Sequence, residues 1–174
     1  MMYTRKQTVT DDRRDDQLRF LYELAGMAPD GPAVECGVYT GGSLVCWACA
    51  RLGRGPLWAV DDWSLCARAD FEANAGRYGL AVRIVDGKSY EVHDQVDDGL
   101  AFCFVDADHK DGIARDIAIW PGKVRPGGVI AFHDYGVWRP EVEVKAAVDA
   151  WQAEAGWIRI NGVVSSLIGF RRPA

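Results

Sequence analysis

The chain has 174 residues, 49% hydrophobic and 26% charged, with a formal net charge of -5 and a sequence pI of about 5.2. Those values describe one globular domain that can bury a core without disulfides or structural metals. They argue against nucleic acid as a partner, because no long basic stripe is present. No apolar run reaches the ~20 residues needed to cross a bilayer, and the polar start MMYTRKQTVTDDRRDDQ lacks a signal core. The expectation is a cytoplasmic protein with no membrane partner, one domain over 1–174, and a mobile segment at 1–14.

In chain order, DDQLRFLYELAG (Asp15–Gly26) has apolar residues at helical spacing, with Gly26 as its stop. AVECG (Ala33–Gly37) is a short buried strand, and Gly41-Gly42-Ser43 opens a helix lasting to about Leu52. LWAV (Leu57–Val60) is a second strand ending in Asp61-Asp62. A helix over Ala67–Tyr78 precedes a third strand, AVRIV (Ala81–Val85), and another helix is expected near Tyr90–Val96. AFCFV (Ala101–Val105) is a fourth strand ending at Asp106. A helix over Gly112–Val124 follows, and Pro126-Gly127-Gly128 turns the chain. VIAF (Val129–Phe132) is a fifth strand ending at His133-Asp134. Pro140–Ala155 reads as an amphipathic helix, and Trp157–Arg171 as a hairpin around Gly162.

Strands alternating with helices predict an α/β fold: a Rossmann-like, doubly wound, mostly parallel sheet with helices on both faces and a C-terminal antiparallel strand or hairpin. Ligands of such sheets collect at the carboxyl ends of the strands. Glu35, Asp61, Asp106, His133 and Asp134 fall there. The basic pairs Arg13-Arg14 and Arg171-Arg172 read as solvated ends. Five cysteines, an odd number with mostly apolar neighbours, point to free thiols. Cys46 and Cys49 form a C-x-x-C without a second half-site, which reads as packing ahead of a redox or zinc role.

Four segments can carry chemistry. In VECGVYTGGSL (Val34–Leu44) a strand enters a glycine-rich turn, where Gly37 lets backbone approach a ligand and the N–H groups of the helix start can hold an anion. Asp61, twenty positions after Gly41, is placed to accept hydrogen bonds from ribose hydroxyls. The Gly37-x-x-x-Gly41-Gly42 spacing differs from G-x-G-x-x-G, which favours S-adenosylmethionine over a nicotinamide cofactor. DADHK (Asp106–Lys110) and His133-Asp134-Tyr135 put carboxylates and imidazoles at neighbouring strand ends, where water, substrate or a metal must satisfy them. Asp106, His133 and Asp134 form a candidate site for a divalent ion, magnesium or manganese, with the nitrogen ligand tilting preference towards transition metals. Without metal, His133 or His109 is the candidate base. Trp63 and Trp138 are candidates for an aromatic wall against the acceptor.

In order, VECGVYTGGS, AVDDW, FVDADH and VRPGGVIAFHDY resemble the motifs of class I S-adenosylmethionine-dependent methyltransferases, nearest to small-molecule O-methyltransferases with an "IDGDH…HDY" pattern. The resemblance spans about Ala33–Tyr135. It implies that Glu35, Gly37, Tyr39 and Ser43 surround the methionine half of the cofactor, with Ser43 on its carboxylate and Asp61 on its ribose. It implies that Ser89 and Tyr90 line the adenine, and that Asp106, His133 and Asp134 match metal-binding and proton-accepting positions. The chain departs from the pattern by having histidine first in the His133-Asp134 pair. It also has a short N-terminal region, which implies an acceptor site that is open or completed by a second subunit in a homo-oligomer. The implied activity is methyl transfer to a small-molecule acceptor, with Asp106, His109 and His133 as candidate catalytic groups. The alternatives are a nicotinamide-dependent oxidoreductase and a non-catalytic module that binds S-adenosylmethionine.

Overall fold

The computed structural model describes residues 11–136 and 143–174. Helix α1 (Asp11–Met27) leads into strand β1 (Ala33–Cys36), helix α2 (Gly42–Cys49) and strand β2 (Leu57–Asp61). Helix α3 (Arg68–Arg77), strand β3 (Val82–Asp86) and strand β4 (Leu100–Val105) follow. Helix α4 (Ile113–Lys123), strand β5 (Val124–Phe132), helix α5 (Val144–Ala155) and strands β6 (Ile158–Val164) and β7 (Leu167–Arg171) complete the order.

The strands form one seven-stranded sheet in the order β3-β2-β1-β4-β5-β7-β6. β1 to β5 are parallel, and β7 and β6 join antiparallel to their neighbours. The fold expected from the alternating pattern is therefore present. Strand order reverses between β1 and β4, which opens a crevice at their carboxyl ends.

The central strands β1, β4 and β5 are mostly apolar, with Glu35 in β1 and Arg125 in β5 as the charged exceptions, because both faces of the sheet are covered. Side chains alternate between the faces. Ala33, Ala59, Phe102, Phe104 and Ala131 pack against Leu24 of α1, Leu44 and Trp47 of α2, and Phe71 of α3. Val34, Cys36, Val60, Cys103, Val105 and Phe132 pack against Ile113, Ile117 and Trp120 of α4, and Val144 and Val148 of α5. These buried apolar surfaces are the main stabilising contribution.

Four expectations need correction. Residues 11–14 belong to α1 and are not a loose lead; residues 1–10 lie outside the described residues. The helix expected near Tyr90–Val96 is only a single 3-10 turn, His93–Gln95. Val92 and Val96 have helical spacing, but both simply anchor a loop to the core. Pro126-Gly127-Gly128 does not separate helix from strand. Val124 already pairs with Leu100, and the Pro-Gly-Gly step is an irregularity inside β5 where the register shifts. The C-terminal hairpin turns at Ser165-Ser166, not at Gly162, which lies inside β6. The start of the helix placed at Pro140, together with Trp138, lies outside the described residues.

Candidate active site

The carboxyl ends of β1, β2, β3 and β4 enclose a cavity of about 440 Å³, within the range of small-molecule sites. Gly37, Tyr39, Asp61, Ser89, Tyr90, Asp106 and His109 all line it. Three residues in the loops leaving strands here, Tyr39, Trp63 and Asp134, have left-handed backbone at φ 50, 57 and 53. Non-glycine residues rarely adopt that conformation, and it concentrates at functional loops.

Gly37 is required for a different reason from the one its motif suggested. Its φ is +82, and a Cβ would lie 2.2 Å from the Asp106 carbonyl oxygen and 2.7 Å from the Ala107 Cα. The close approach is between two chain segments, the loops after β1 and β4, and it fixes the cavity floor. Gly41, at φ +86, caps α2 in the left-handed region and leaves no room for a side chain beside Phe71.

The Asp61 carboxylate is held from both sides. Tyr39 N–H donates to Oδ2 at 2.8 Å, and Trp63 N–H donates to Oδ1 at 2.7 Å. Each oxygen keeps a lone pair for a further donor. Trp63 itself packs on Phe71 and donates its indole N–H to Asp86 at 2.8 Å.

Glu35 and Ser43 face each other behind the glycine turn. Glu35 is completely buried and accepts hydrogen bonds from Ser43 Oγ and Trp47 Nε1. Burial pushes its carboxyl up to about 8, against the lowering effect of those two donors. Ser43 is thus turned towards Glu35, and neither side chain is part of the cavity wall.

Ser89 lines the cavity and donates its hydroxyl to Asp116 Oδ1 at 2.6 Å. The Tyr90 ring packs beneath the Arg115 guanidinium, 4.9 Å from its centroid, and 5.9 Å from Lys88 Nζ. Asp116 escaped the sequence reading. It sits three residues after Ile113 and one before Ile117, so the helical period placed it on the buried face.

Asp106, His109, His133 and Asp134 converge beside this cavity. His133 Nδ1 is 2.9 Å from Asp106 Oδ1 and 3.3 Å from Asp134 Oδ1. His109 Nε2 is 3.6 Å from Asp134 Oδ2 and 3.8 Å from Asp106 Oδ1. Burial opposes charge on His133, but the Asp106 carboxylate, with Asp134 and Glu35 behind it, outweighs that and pushes the imidazole up to about 9. His133 is therefore cationic at neutral pH. Its Nδ1 is close to Asp106 yet not aligned for a hydrogen bond, so the contact is mainly electrostatic. The three expected metal ligands do meet, but the imidazole lies between the two carboxylates as their counter-charge. Among the described residues no group of three or more His, Cys, Asp or Glu side chains is arranged to hold a metal ion, and the donor set as placed does not fit one. Tyr135, next in the motif, is nearly buried and donates its hydroxyl to Asp149 of α5 at 2.7 Å.

A family profile described as a methyltransferase domain matches residues 34–135, and the chain belongs to that family. It is an S-adenosylmethionine-dependent methyltransferase of the class I fold. No curated protein matches it in sequence. Among solved structures it is similar to the O-methyltransferase NovP, at 19% identity and a TM-score of 0.72 over 91% of this chain and 80% of that one. It is also similar to the O-methyltransferase TomG from Streptomyces achromogenes, involved in tomaymycin synthesis and solved with SAM, at 19% identity and a TM-score of 0.71 over 91% and 80%. An rRNA methylase from Streptococcus thermophilus shares the fold at 12% identity and a TM-score of 0.67, over 96% and 100%. Likeness at such identities is likeness of fold, and these folds serve different acceptors. Among the described residues no helix is long and apolar enough to cross a membrane.

Proposed function

We propose that the chain transfers the methyl group of S-adenosylmethionine to a hydroxyl oxygen of a small molecule. The observation that carries this reading is that one cavity is lined by Asp61 and Ser89 together with Asp106 and His109. The cofactor, when bound, supplies an electrophilic methyl group on a sulfonium sulfur. Asp61 accepts the ribose hydroxyls with its remaining lone pairs. Ser89 and Tyr90 border the adenine, and the backbone N–H groups of Gly42 and Ser43 at the start of α2 are left for the methionine carboxylate, with the Glu35 and Ser43 side chains bracing that turn from behind.

On the acceptor side His109 is the base. It lines the cavity, whereas His133 is half-buried, already protonated and held between two carboxylates. As the new carbon–oxygen bond forms at the expense of the methyl–sulfur bond, leaving S-adenosylhomocysteine, the hydroxyl proton passes to His109. The resulting imidazolium is stabilised by Asp134 and Asp106, 3.6 and 3.8 Å away. Leu65, 83% exposed and also lining the cavity, offers the acceptor an apolar contact. A second reading, a divalent ion shared by Asp106 and Asp134, is favoured by the convergence of those carboxylates; it requires His133 to leave the space between them.

Calorimetry and an acceptor-panel assay test the proposal together. The wild type should bind S-adenosylhomocysteine, and Asp61→Ala should weaken that binding by about 1–3 kcal/mol. Methyl transfer should persist in excess chelator and fall at least ~100-fold in His109→Ala. Activity lost to chelator and restored by one divalent ion would establish the metal reading instead. Cofactor binding without turnover of any acceptor would point to a binding module.

A further inference from the structure

Ser89 and Asp116 are a polar pair inside an otherwise apolar layer. Ser89 is 4% exposed and Asp116 is fully buried, carried by the α4 face that packs on the sheet. Two donors converge on one oxygen of Asp116: Ser89 Oγ at 2.6 Å and Trp120 Nε1 at 3.1 Å, both on Oδ1. The other oxygen, Oδ2, has no hydrogen-bond partner. Burying a carboxylate with a bare oxygen is costly, and no step of the proposed methyl transfer uses it.

The proton count gives the pair a role. A serine hydroxyl has one proton and two lone pairs, and an ionised carboxylate has no proton to give. Burial raises the Asp116 carboxyl to about 6, against the lowering donors Ser89 and Trp120, which leaves it ionised at neutral pH. The Ser89 proton must then point at Asp116. The same Ser89 lines the cavity, so a ligand group that reaches its hydroxyl finds lone pairs only.

We propose that Asp116 is a positioning residue that makes Ser89 an obligate hydrogen-bond acceptor, so that the cavity selects a purine edge bearing an exocyclic amine over one bearing a carbonyl. The inference rests on the cofactor reading above, with the nucleobase at Ser89. It separates adenine, whose amine donates, from hypoxanthine, whose oxygen would face the lone pairs of Ser89. Asparagine at 116 would keep the effect. Two donors already converge on Oδ1, so the amide oxygen must take that place and the amide nitrogen that of Oδ2.

The test is calorimetric binding of S-adenosylhomocysteine and S-inosylhomocysteine, read as the ratio of their affinities. The wild type should favour the adenine compound by at least ~10-fold. The ratio should fall towards one in Asp116→Ala and in Ser89→Ala, and should stay at the wild-type value in Asp116→Asn. A purely structural role for Asp116 would change stability, or both affinities equally, and leave the ratio alone. A wild-type ratio in folded Asp116→Ala or in Ser89→Ala, or a collapsed ratio in Asp116→Asn, overturns the inference while the cofactor reading stands. Should Asp116→Ala not fold, the Ser89→Ala and Asp116→Asn arms still decide. Binding of neither compound to the wild type overturns both readings.

Discussion

The two ends of the parallel sheet use charge in opposite ways. At the amino ends of the strands, four arginines are spent on backbone. Arg51, 1% exposed, donates to the carbonyls of Ala25, Pro29 and Gly31. Arg54 holds the Gly26 and Ala28 carbonyls and pairs with Asp30. Arg125 reaches the Asp30 carbonyl, and Arg172 those of Val124 and Gly122. At the carboxyl ends, Asp61, Asp106 and His109 instead face a cavity. Polar groups tied to carbonyls hold the chain in place, whereas those left facing a cavity have capacity for a ligand. The lesson is that the direction of each donor or acceptor, more than its residue type, separates the supporting end from the working one.

The largest expected effect breaks the working end through its backbone. Gly37→Ala would drive a Cβ into the Asp106–Ala107 backbone at a φ that L side chains avoid. We expect a loss of ~3 kcal/mol or more in stability, and loss of cofactor binding in whatever remains folded. Gly55→Ala is the matched control at the other end, where a Cβ would sit 2.3 Å from the Gly31 carbonyl oxygen. It should destabilise similarly yet leave the affinity of the folded fraction unchanged. Equal loss of affinity in both variants would erase the distinction between the ends.

Next in size is the supporting end itself. Arg51→Met keeps much of the side-chain bulk but leaves three carbonyls without their donor, two of them supplied by residues at the end of α1 and just beyond it. The expected cost is ~2–4 kcal/mol in urea unfolding, with cofactor affinity unaltered. Weakened affinity at unchanged stability would show that the arginines serve the site after all.

Much of the working end was legible because fully buried parallel strands read as apolar runs, and the charges that end them stand out. LWAV before Asp61, AFCFV before Asp106 and VIAF before His133 all behave this way. The supporting end was not legible. Arg171-Arg172 looked like a solvated tail, yet Arg171 ends β7 and Arg172 is hydrogen-bonded across to Val124. Nothing local in a sequence tells an arginine that caps carbonyls from one in solvent. The same blindness to direction hid the turn of Ser43 towards Glu35 and the placement of His133 between two carboxylates. Gly162 misled because the left-handed residues of the hairpin are Asn161 and Ser165, and neither is a glycine. Asp116 was missed although its helical spacing pointed inward, because an acid in the first turn of a helix has an ordinary role at the surface.

The smallest effect sharpens the comparison from within, since Asp116 is a charge that lies behind the working end and yet is fully buried. Its carboxyl is raised from 3.8 to about 6, first by burial, with Ser89 and Trp120 opposing. The folded protein therefore holds this proton more tightly than the unfolded chain does. Below pH 4 both states are protonated and the stabilisation is fully present. Between pH 4 and pH 6 the unfolded chain releases the proton while the folded one keeps it, so stability falls. Above about pH 6 both are ionised and the loss is constant, on the order of 1–3 kcal/mol. Asp116→Asn removes this titration. Urea unfolding of the two proteins side by side cancels every other ionisable group to first order. The variant should gain on the wild type between pH 4 and pH 7, even though its amide nitrogen inherits the position of the unpartnered Oδ2. Parallel stability curves for the two proteins would mean that Asp116 titrates as an ordinary carboxylate, and that the Ser89 hydroxyl is not held by a desolvated charge.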